Sequence, residues 1–304
     1  MQTNRRQFIK TAAVATTALS VAPLLASCEQ APVNLTILHT NDVHSHIDPF
    51  PANDSKWPLQ GGFARRAQLI NDIRREQEHV LLFDCGDIFQ GTPYFNIYKG
   101  KLEIELMNKM AYDAATIGNH EFDNGVAALA TNIKRAQFPF VCSNYDLSGS
   151  GLDGLTIPFK IIRKGALTIG IIGLGIELDG LANPKSYEQI QYKDPIKEAN
   201  NMAQHLKQEQ GCDLVIALSH LGYQYQDDKV SDVQVAKQTK GIDIILGGHT
   251  HTFMDKPDRV INMDGDEVIV NQAGWGGIYL GRLDLQMKAN NQKNVTLVNS
   301  IYHV

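Results

Sequence analysis

Residues 80–87 read VLLFDCGD: four apolar residues, Val80 to Phe83, run straight into Asp84, Cys85, Gly86 and Asp87. A short apolar run that stops at a glycine is the pattern of a strand buried on both faces. In open α/β sheets the carboxyl ends of strands form the ligand crevice, so a polar residue just past such a run is placed to face it. The pattern recurs along the chain. TNDVHSH (40–46) follows the run Leu35–Leu38, GNHEFD (118–123) follows Ala114–Ile117, SHLG (219–222) follows Leu214–Leu218, and GGHTH (247–251) follows Ile242–Leu246. CSNYD (142–146), after Phe140–Cys142, is a weaker sixth segment, and Leu167–Leu174 is a further buried run.

Helical patterns separate these runs. Phe63, Ala67, Ile70 and Ile73 share one helical face, as do Val126, Leu129 and Ile133, and as do Ile196, Ala199, Met202, Ala203 and Leu206. Asp194 is a fitting N-cap for the last of these, with Pro195 at the first helical position. Strand and helix in alternation predict a layered α/β domain. The tail differs, because Glu267–Asn271, Tyr279–Met287 and Val295–Tyr302 read as successive strands without helices between them, which predicts a second, more antiparallel sheet.

The order Asp-x-His, Gly-Asp, Gly-Asn-His-Glu, His, Gly-His-x-His closely resembles the calcineurin-like metallophosphoesterases, and the wording HTND, GNHEFD and GGHTH resembles their 5'-nucleotidase branch, over about residues 33 to 290. The resemblance implies a four-layer sandwich, two mixed β-sheets facing each other with helices outside. It also implies a centre for two divalent ions. Asp42, His44 and His251 are then expected on one ion, Asn119, His220 and His249 on the other, with Asp87 as the bridge. Two cations a few ångströms apart repel each other, so a shared carboxylate is required. Carboxylate, imidazole and amide oxygen together suit Zn, Mn or Fe, and no cysteine occupies a ligand position. Histidine stands at 251 where some nucleotidases carry glutamine, a difference that bears on metal preference.

His120 and Asp123 stand apart from the ligands. The resemblance gives the histidine the task of stabilising charge on the phosphate or protonating the leaving oxygen, and the aspartate that of orienting it; at i and i+3 in a helical turn they can share a face. Asn144 is a candidate for contacting substrate or positioning this pair. Gly61-Gly62 opens a helix beside the site, with Arg65 a candidate substrate or structural contact. His46 reads either as support for the ligands or as a loop residue, and His39 as structural.

Asn4 to Lys10, with the pair Arg5-Arg6 before an Ala/Thr-rich stretch, resembles a twin-arginine export signal, and Leu25-Ala26-Ser27-Cys28 resembles a lipoprotein cleavage box with Cys28 as the lipid acceptor. Residues 1–28 are therefore expected to be a removable segment and 29–304 the catalytic domain, exported to the bacterial periplasm or cell envelope and lipid-anchored there. The chain has 28 Lys and Arg against 33 Asp and Glu, a formal charge of −5. Residues 1–28 hold three of the bases and none of the acids, so the remainder is more acidic still. Such a chain is a poor polyanion binder, which argues against nucleic acid as a partner and for metal as the holder of any phosphate. Cys85, Cys142 and Cys212 lie in or beside apolar runs, as small buried hydrophobes rather than a disulfide framework.

The expected reaction is metal-assisted hydrolysis of phosphate monoesters, 5'-nucleotides or related nucleotides, by activated water. No Gly-rich phosphate loop and no GxSxG elbow supports a kinase or serine hydrolase. Full-length 5'-nucleotidases add a C-terminal domain that stacks on the base. A separate base-binding chain is therefore a candidate partner, with Phe89, Tyr94 and Phe95 either its contacts or core. The alternatives are a thiosulfohydrolase-like hydrolase of sulfur esters and a lipoprotein that uses the metals to capture a phosphorylated ligand.

Overall fold

The computed structural model describes residues 32–187, 189–287, 296–297 and 302–304, so the expected export segment 1–28, including Cys28, lies outside the described residues. The chain enters on β1 (Val33–Thr40), runs through helix α1 (Phe63–Glu76) to β2 (Val80–Asp84), and through α2 (Pro93–Tyr98) and α3 (Lys101–Lys109) to β3 (Ala114–Ala115) and α4 (Gly125–Ile133). A small pair, β4 (Tyr145–Asp146) with β7 (Gln191–Tyr192), flanks the hairpin β5 (Phe159–Lys164) and β6 (Leu167–Leu174). Helix α5 (Pro195–Gln204), β8 (Leu214–Ser219), α6 (Asp232–Gln238), β9 (Ile244–Leu246), β10 (Asp258–Ile261), β11 (Glu267–Asn271), β12 (Tyr279–Met287), β13 (Thr296–Leu297) and β14 (Tyr302–His303) complete it.

Two sheets result. The first has the order β13-β12-β1-β2-β3 with β14 also on β12, and its β1, β2 and β3 are parallel. The second has the order β10-β11-β9-β8-β6-β5, with β6, β8, β9 and β11 parallel. Alternation of side chains along each strand sorts the core into layers. Leu81 and Phe83 of β2 join Leu35 and Ile37 of β1 against Ile169, Ile216 and Ile244 of the other sheet, and that apolar layer lies between the sheets. Val80 and Leu82 point the opposite way, packing with Phe63, Ile70 and Ile73 of α1 and with Ile104 and Met107 of α3. The outer face of the second sheet is covered by Ala199 and Ala203 of α5 and Val233, Val235 and Ala236 of α6. The architecture is helix, sheet, sheet, helix, the four-layer sandwich expected.

Local signals explain the helix starts. The Asp194 carboxylate accepts from the N–H groups of Ile196 and Lys197, with Pro195 following it. Helix α1 begins after Gly62 at φ 95°, where a Cβ would lie 2.9 Å from Pro49. Three expectations are corrected. The tail does not form its own sheet: β11 lies parallel to β9 in the second sheet, while β12 crosses to the first and pairs antiparallel with β1. Apolar tail strands with no helix between them can still join different sheets when both sheets bury them. The run Val295–Tyr302 falls mostly outside the described residues. Ala114–Ile117 is a strand only over its first two residues, and Phe140–Cys142 makes isolated bridges, Phe140 to Ala115 and Val141 to Ile157, in place of a strand. Cys85, Cys142 and Cys212 are free and buried, as read. Among the described residues no helix is long and apolar enough to cross a membrane.

Candidate metal centre

The carboxyl ends of β1, β2 and β3 in one sheet and of β8 and β9 in the other meet at one rim. Among the described residues, two groups of acid and imidazole side chains gather there, Asp42 with His44 and His251, and Asp87 with His220 and His249; within each, the potential ligand atoms lie within 4.8 Å of one another. His251 Nε2 is 3.3 Å from Asp42 Oδ1 and 3.1 Å from His44 Nε2. His220 Nε2 is 3.0 Å from Asp87 Oδ2, and His249 Nδ1 is 3.0 Å from Asn119 Oδ1. Asp87 lies between the groups, its Oδ2 also 4.0 Å from His44 Nε2. Each group draws on both sheets.

The backbone is bent to bring them there. Asp42, His44, Asp87, His249 and His251 all have positive φ, between 49° and 71°, in the left-handed region that L-residues avoid. Such conformations cost of order 1–3 kcal/mol each and persist only where the surroundings over-determine them. Those surroundings are close-packed. A Cβ on Gly118 would lie 2.3 Å from Asp87 Oδ1, and one on Gly86 would lie 2.6 Å from Gly118 N and 2.8 Å from His220 Nδ1. The buried carboxylate of Glu121 accepts from the N–H groups of Gly118 (2.6 Å), Asp87 (2.9 Å) and Ile88 (2.8 Å), stitching the β2 and β3 loops together. Asn41 does the same between β1 and the 273–274 turn, donating to Asp42 Oδ2 and Gly274 O and accepting from Ala273 N–H.

The donor set fits a pair of cations. His44 Nδ1–H donates to Phe89 O and His220 Nδ1–H to Cys85 O, which leaves Nε2 of each ring as a lone pair. Those lone pairs meet His251 Nε2 and the Asp87 carboxylate, and His220 Nε2 is buried without a hydrogen bond. Carboxylate oxygens and imidazole nitrogens gathered in a buried site are satisfied by positive charge between them, whether protons or metal ions. Burial opposes charge on His220, but the carboxylates of Asp87 and Asp42 outweigh it and lift its pKa to about 10, so a proton competes for the place a metal would take. Burial draws the pKa of His249 down to about 4, and His44 also falls below its ordinary value, so these two offer themselves as neutral ligands. Asp87 stays ionised because the histidines around it outweigh its burial. The thiol of Cys85 faces away into the inter-sheet core, and burial raises its pKa well above the ordinary value.

His120 sits at the mouth. Its Nδ1 is 2.8 Å from Asp123 Oδ2 and its backbone N–H donates to Asp87 Oδ1 at 2.8 Å, while its ring packs edge-on to His44 with centroids 5.3 Å apart. The bond to Asp123, against partial burial, raises its pKa. The remaining candidates take other places. The Asn144 amide is consumed by the backbone of Gly175, donating to its carbonyl (2.8 Å) and accepting from its N–H (2.7 Å), so it braces the loop after β6. Arg65 is exposed on α1 and donates to Leu59 O. His46 stacks on Phe50 and meets the edge of Trp275, which in turn stacks on His251. His39 is fully buried and accepts from Asn271, a structural role. Phe89 and Phe95 are core residues; Tyr94 is half-buried, with its hydroxyl on Asp48. A cleft of about 760 Å³ beside α5 and β10 is lined by charges that pair with each other, Lys207 with Asp243 and Arg259 with Glu267, and holds neither ligand group.

The profile of the calcineurin-like phosphoesterases matches residues 35–253. The chain belongs to that family. It is 39% identical over 272 residues to the snake venom 5'-nucleotidase of Crotalus adamanteus, a match covering 83% of this chain and 45% of the venom enzyme. It is 32% identical over 284 residues to the trifunctional nucleotide phosphoesterase protein YfkN of Bacillus subtilis, covering 83% of this chain and 18% of that one. The crystal structure of a 5'-nucleotidase precursor from Thermus thermophilus superposes with a TM-score of 0.80 at 31% identity, covering 89% of this chain and 54% of the other. The phosphoesterase thus spans about half the length of such relatives, or less.

Proposed function

We propose that this phosphoesterase hydrolyses phosphate monoesters, with 5'-nucleotides the preferred class, at a dinuclear centre of Zn, Mn or Fe. The observation that carries the reading is the inward-facing set of lone pairs in two adjoining groups, with Asp87 shared and a hydrogen-bonded His-Asp pair at the mouth. The relatives' names point to nucleotides as the ester.

Asp42, His44 and His251 would hold one ion and Asn119, His220 and His249 the other, with Asp87 bridging. Bound divalent ions of this kind polarise the phosphoryl oxygens and bring the pKa of water near neutrality. The chain's own part is geometric. Carbonyls of Cys85 and Phe89 fix the tautomers of His220 and His44, and the Glu121 carboxylate fixes the loop that carries Asp87. His120, its Nδ1–H held by Asp123 and its pKa raised by that bond, acts as the imidazolium: it stabilises negative charge on the phosphoryl group and gives the proton of its other nitrogen to the departing alkoxide oxygen, which leaves as the alcohol. Export by the twin-arginine route and anchoring through lipidated Cys28 complete the proposal, placing the site in the periplasm or cell envelope.

Metal analysis and an ester panel on the purified chain test this. The expected result is two ions per chain and turnover of AMP and p-nitrophenyl phosphate. Two ions with no turnover of any phosphate ester overturns the reading in favour of phospho-ligand capture, and turnover of sulfur esters alone in favour of the sulfur-ester hydrolase.

A further inference from the structure

His249 and His251 share one three-residue span but face different groups. The span follows Gly247-Gly248 and is left-handed at both histidines, with φ 71° and 52°, so local preference does not hold its shape. Side chains do: the Asp42 carboxylate accepts the His249 N–H at 2.9 Å, Thr250 Oγ1 accepts the Tyr223 N–H at 3.0 Å, and Gln272 holds the two ends. Gln272, fully buried just after β11, donates from Nε2 to Gly248 O at 2.7 Å, immediately before His249. Its Oε1 accepts the Thr252 N–H at 3.1 Å, immediately after His251, and the Thr250 hydroxyl at 3.2 Å between them. One planar amide therefore ties both ends of the span. That amide is itself oriented: Nε2 also donates to Asp232 Oδ2 at 3.2 Å, and Asp232, buried at the start of α6, accepts from Ser219 Oγ. The fit admits nothing larger in the loop, since a Cβ on Gly247 would lie 2.0 Å from Asp232 Oδ2.

We propose that Gln272 is the positioning residue that sets both ion sites at once, its amide fixing the spacing of His249 and His251, with Asp232 and Ser219 fixing the amide. The inference rests on the dinuclear reading above. Gln272 takes no part in ligation or in contact with substrate. Its loss uncouples two ligands that belong to two different ions, so both affinities fall together, whereas loss of a residue serving one group weakens one.

The test compares the purified chain with Gln272→Leu, of similar bulk and no hydrogen bonds, and Gln272→Glu, which keeps the acceptor for Thr252 and loses the donor to Gly248. After chelation, each is titrated with manganese, following free ion by its EPR signal, and far-UV circular dichroism in chelator reports folding independently of metal. Gln272→Leu is expected to bind both ions roughly ten- to a hundredfold more weakly, the range for partners that orient metal ligands, with unchanged dichroism. Gln272→Glu is expected to fall between it and wild type. Two ions in wild type and wild-type affinity in Gln272→Leu, or weakening at one site alone, overturns the inference while leaving the dinuclear reading intact. Should Gln272→Leu fail to fold, wild-type affinity in Gln272→Glu overturns it equally. Fewer than two ions in wild type overturns the dinuclear reading first and the inference with it.

Discussion

His120 and Asp123 face each other across one helical turn, Nδ1 to Oδ2 at 2.8 Å, outside both ligand groups yet tied to one of them by the His120 N–H on Asp87 Oδ1. The side chain is thus free to act on substrate while its backbone is fixed by the centre. His120→Asn should lower turnover by about 100- to 10,000-fold, the usual contribution of a positioned acid, and leave two ions in place. The loss should be smaller on p-nitrophenyl phosphate, whose leaving group needs less protonation. Equal losses on good and poor leaving groups would assign His120 to phosphoryl charge alone. Kinetics on AMP and the nitrophenyl ester, with metal analysis of the same samples, decide this.

The Asp87 carboxylate lies within reach of both groups, closest to His220 and also facing His44. Asp87→Asn preserves shape and removes the bridging charge, so both metal content and activity should drop. Cys85→Ala is the control: its thiol lies in the inter-sheet core and only its carbonyl serves His220. Elemental analysis should find wild-type metal content in that variant.

Glu121 accepts from four buried backbone N–H groups, those of Asp87, Ile88 and Gly118 and, more distantly at 3.4 Å, that of Phe89. Removing an acceptor from buried donors costs about 1–3 kcal/mol per group. Glu121→Ala should therefore lower unfolding free energy by several kcal/mol, of order 3–5, and Glu121→Gln by less. Denaturant unfolding in chelator reads the structural effect without a contribution from bound ions.

Ions bound to the folded chain and not to the unfolded one stabilise it by mass action, about 2.7 kcal/mol per site at a hundredfold excess over Kd. Chelation should lower Tm by at least about 5 °C for a chain of this size, and calorimetry with added zinc or manganese should restore it. An unchanged Tm would count against tight ion binding.

The arginine pair and Cys28 make separable claims. Arg5 and Arg6 changed to lysine should block export, and Cys28→Ala should release the exported protein from membranes into the soluble envelope fraction. Immunoblots of cell fractions check both, and a Cys28→Ala protein that stays with the membrane refutes the anchor.

The inner strands are legible in the sequence because they are buried on both faces, so β2 and β8 read as apolar runs with ligand candidates at their ends, and β6 as a longer apolar run broken only by Thr168 and two glycines. Exposed strands are not. In β5 the residues Lys160, Arg163 and Lys164 interrupt the apolar signal, and β10 buries only Val260 of its four residues. The seven ligand candidates can be read because each is a residue type with metal chemistry. Gln272, Asn41 and Glu121 cannot, since an amide or a carboxylate that serves backbone groups carries no mark of its partner; Asn41 in TNDVHSH and Glu121 in GNHEFD have neighbourhoods that invite attention, and Gln272 has none. Asn144 misleads for the same reason: its amide is conspicuous in the sequence, and its partner, Gly175, is not.

Each ligand group recruits residues from both sheets, Asp42 and His44 with His251 in one, Asp87 and Asn119 with His220 and His249 in the other. A cation in the first would clasp the chain to itself across about 200 residues, a closure whose entropic cost grows only slowly with length. At the opposite rim, where the parallel strands begin, the sheets meet through apolar side chains, with no comparable clasp among the described residues. With both ions bound, the described sheets would be latched on one side only. Thermal opening would then have a direction, parting the sheets from the unlatched edge and reaching the metal rim last, so that ion release would mark the end of unfolding and not its beginning.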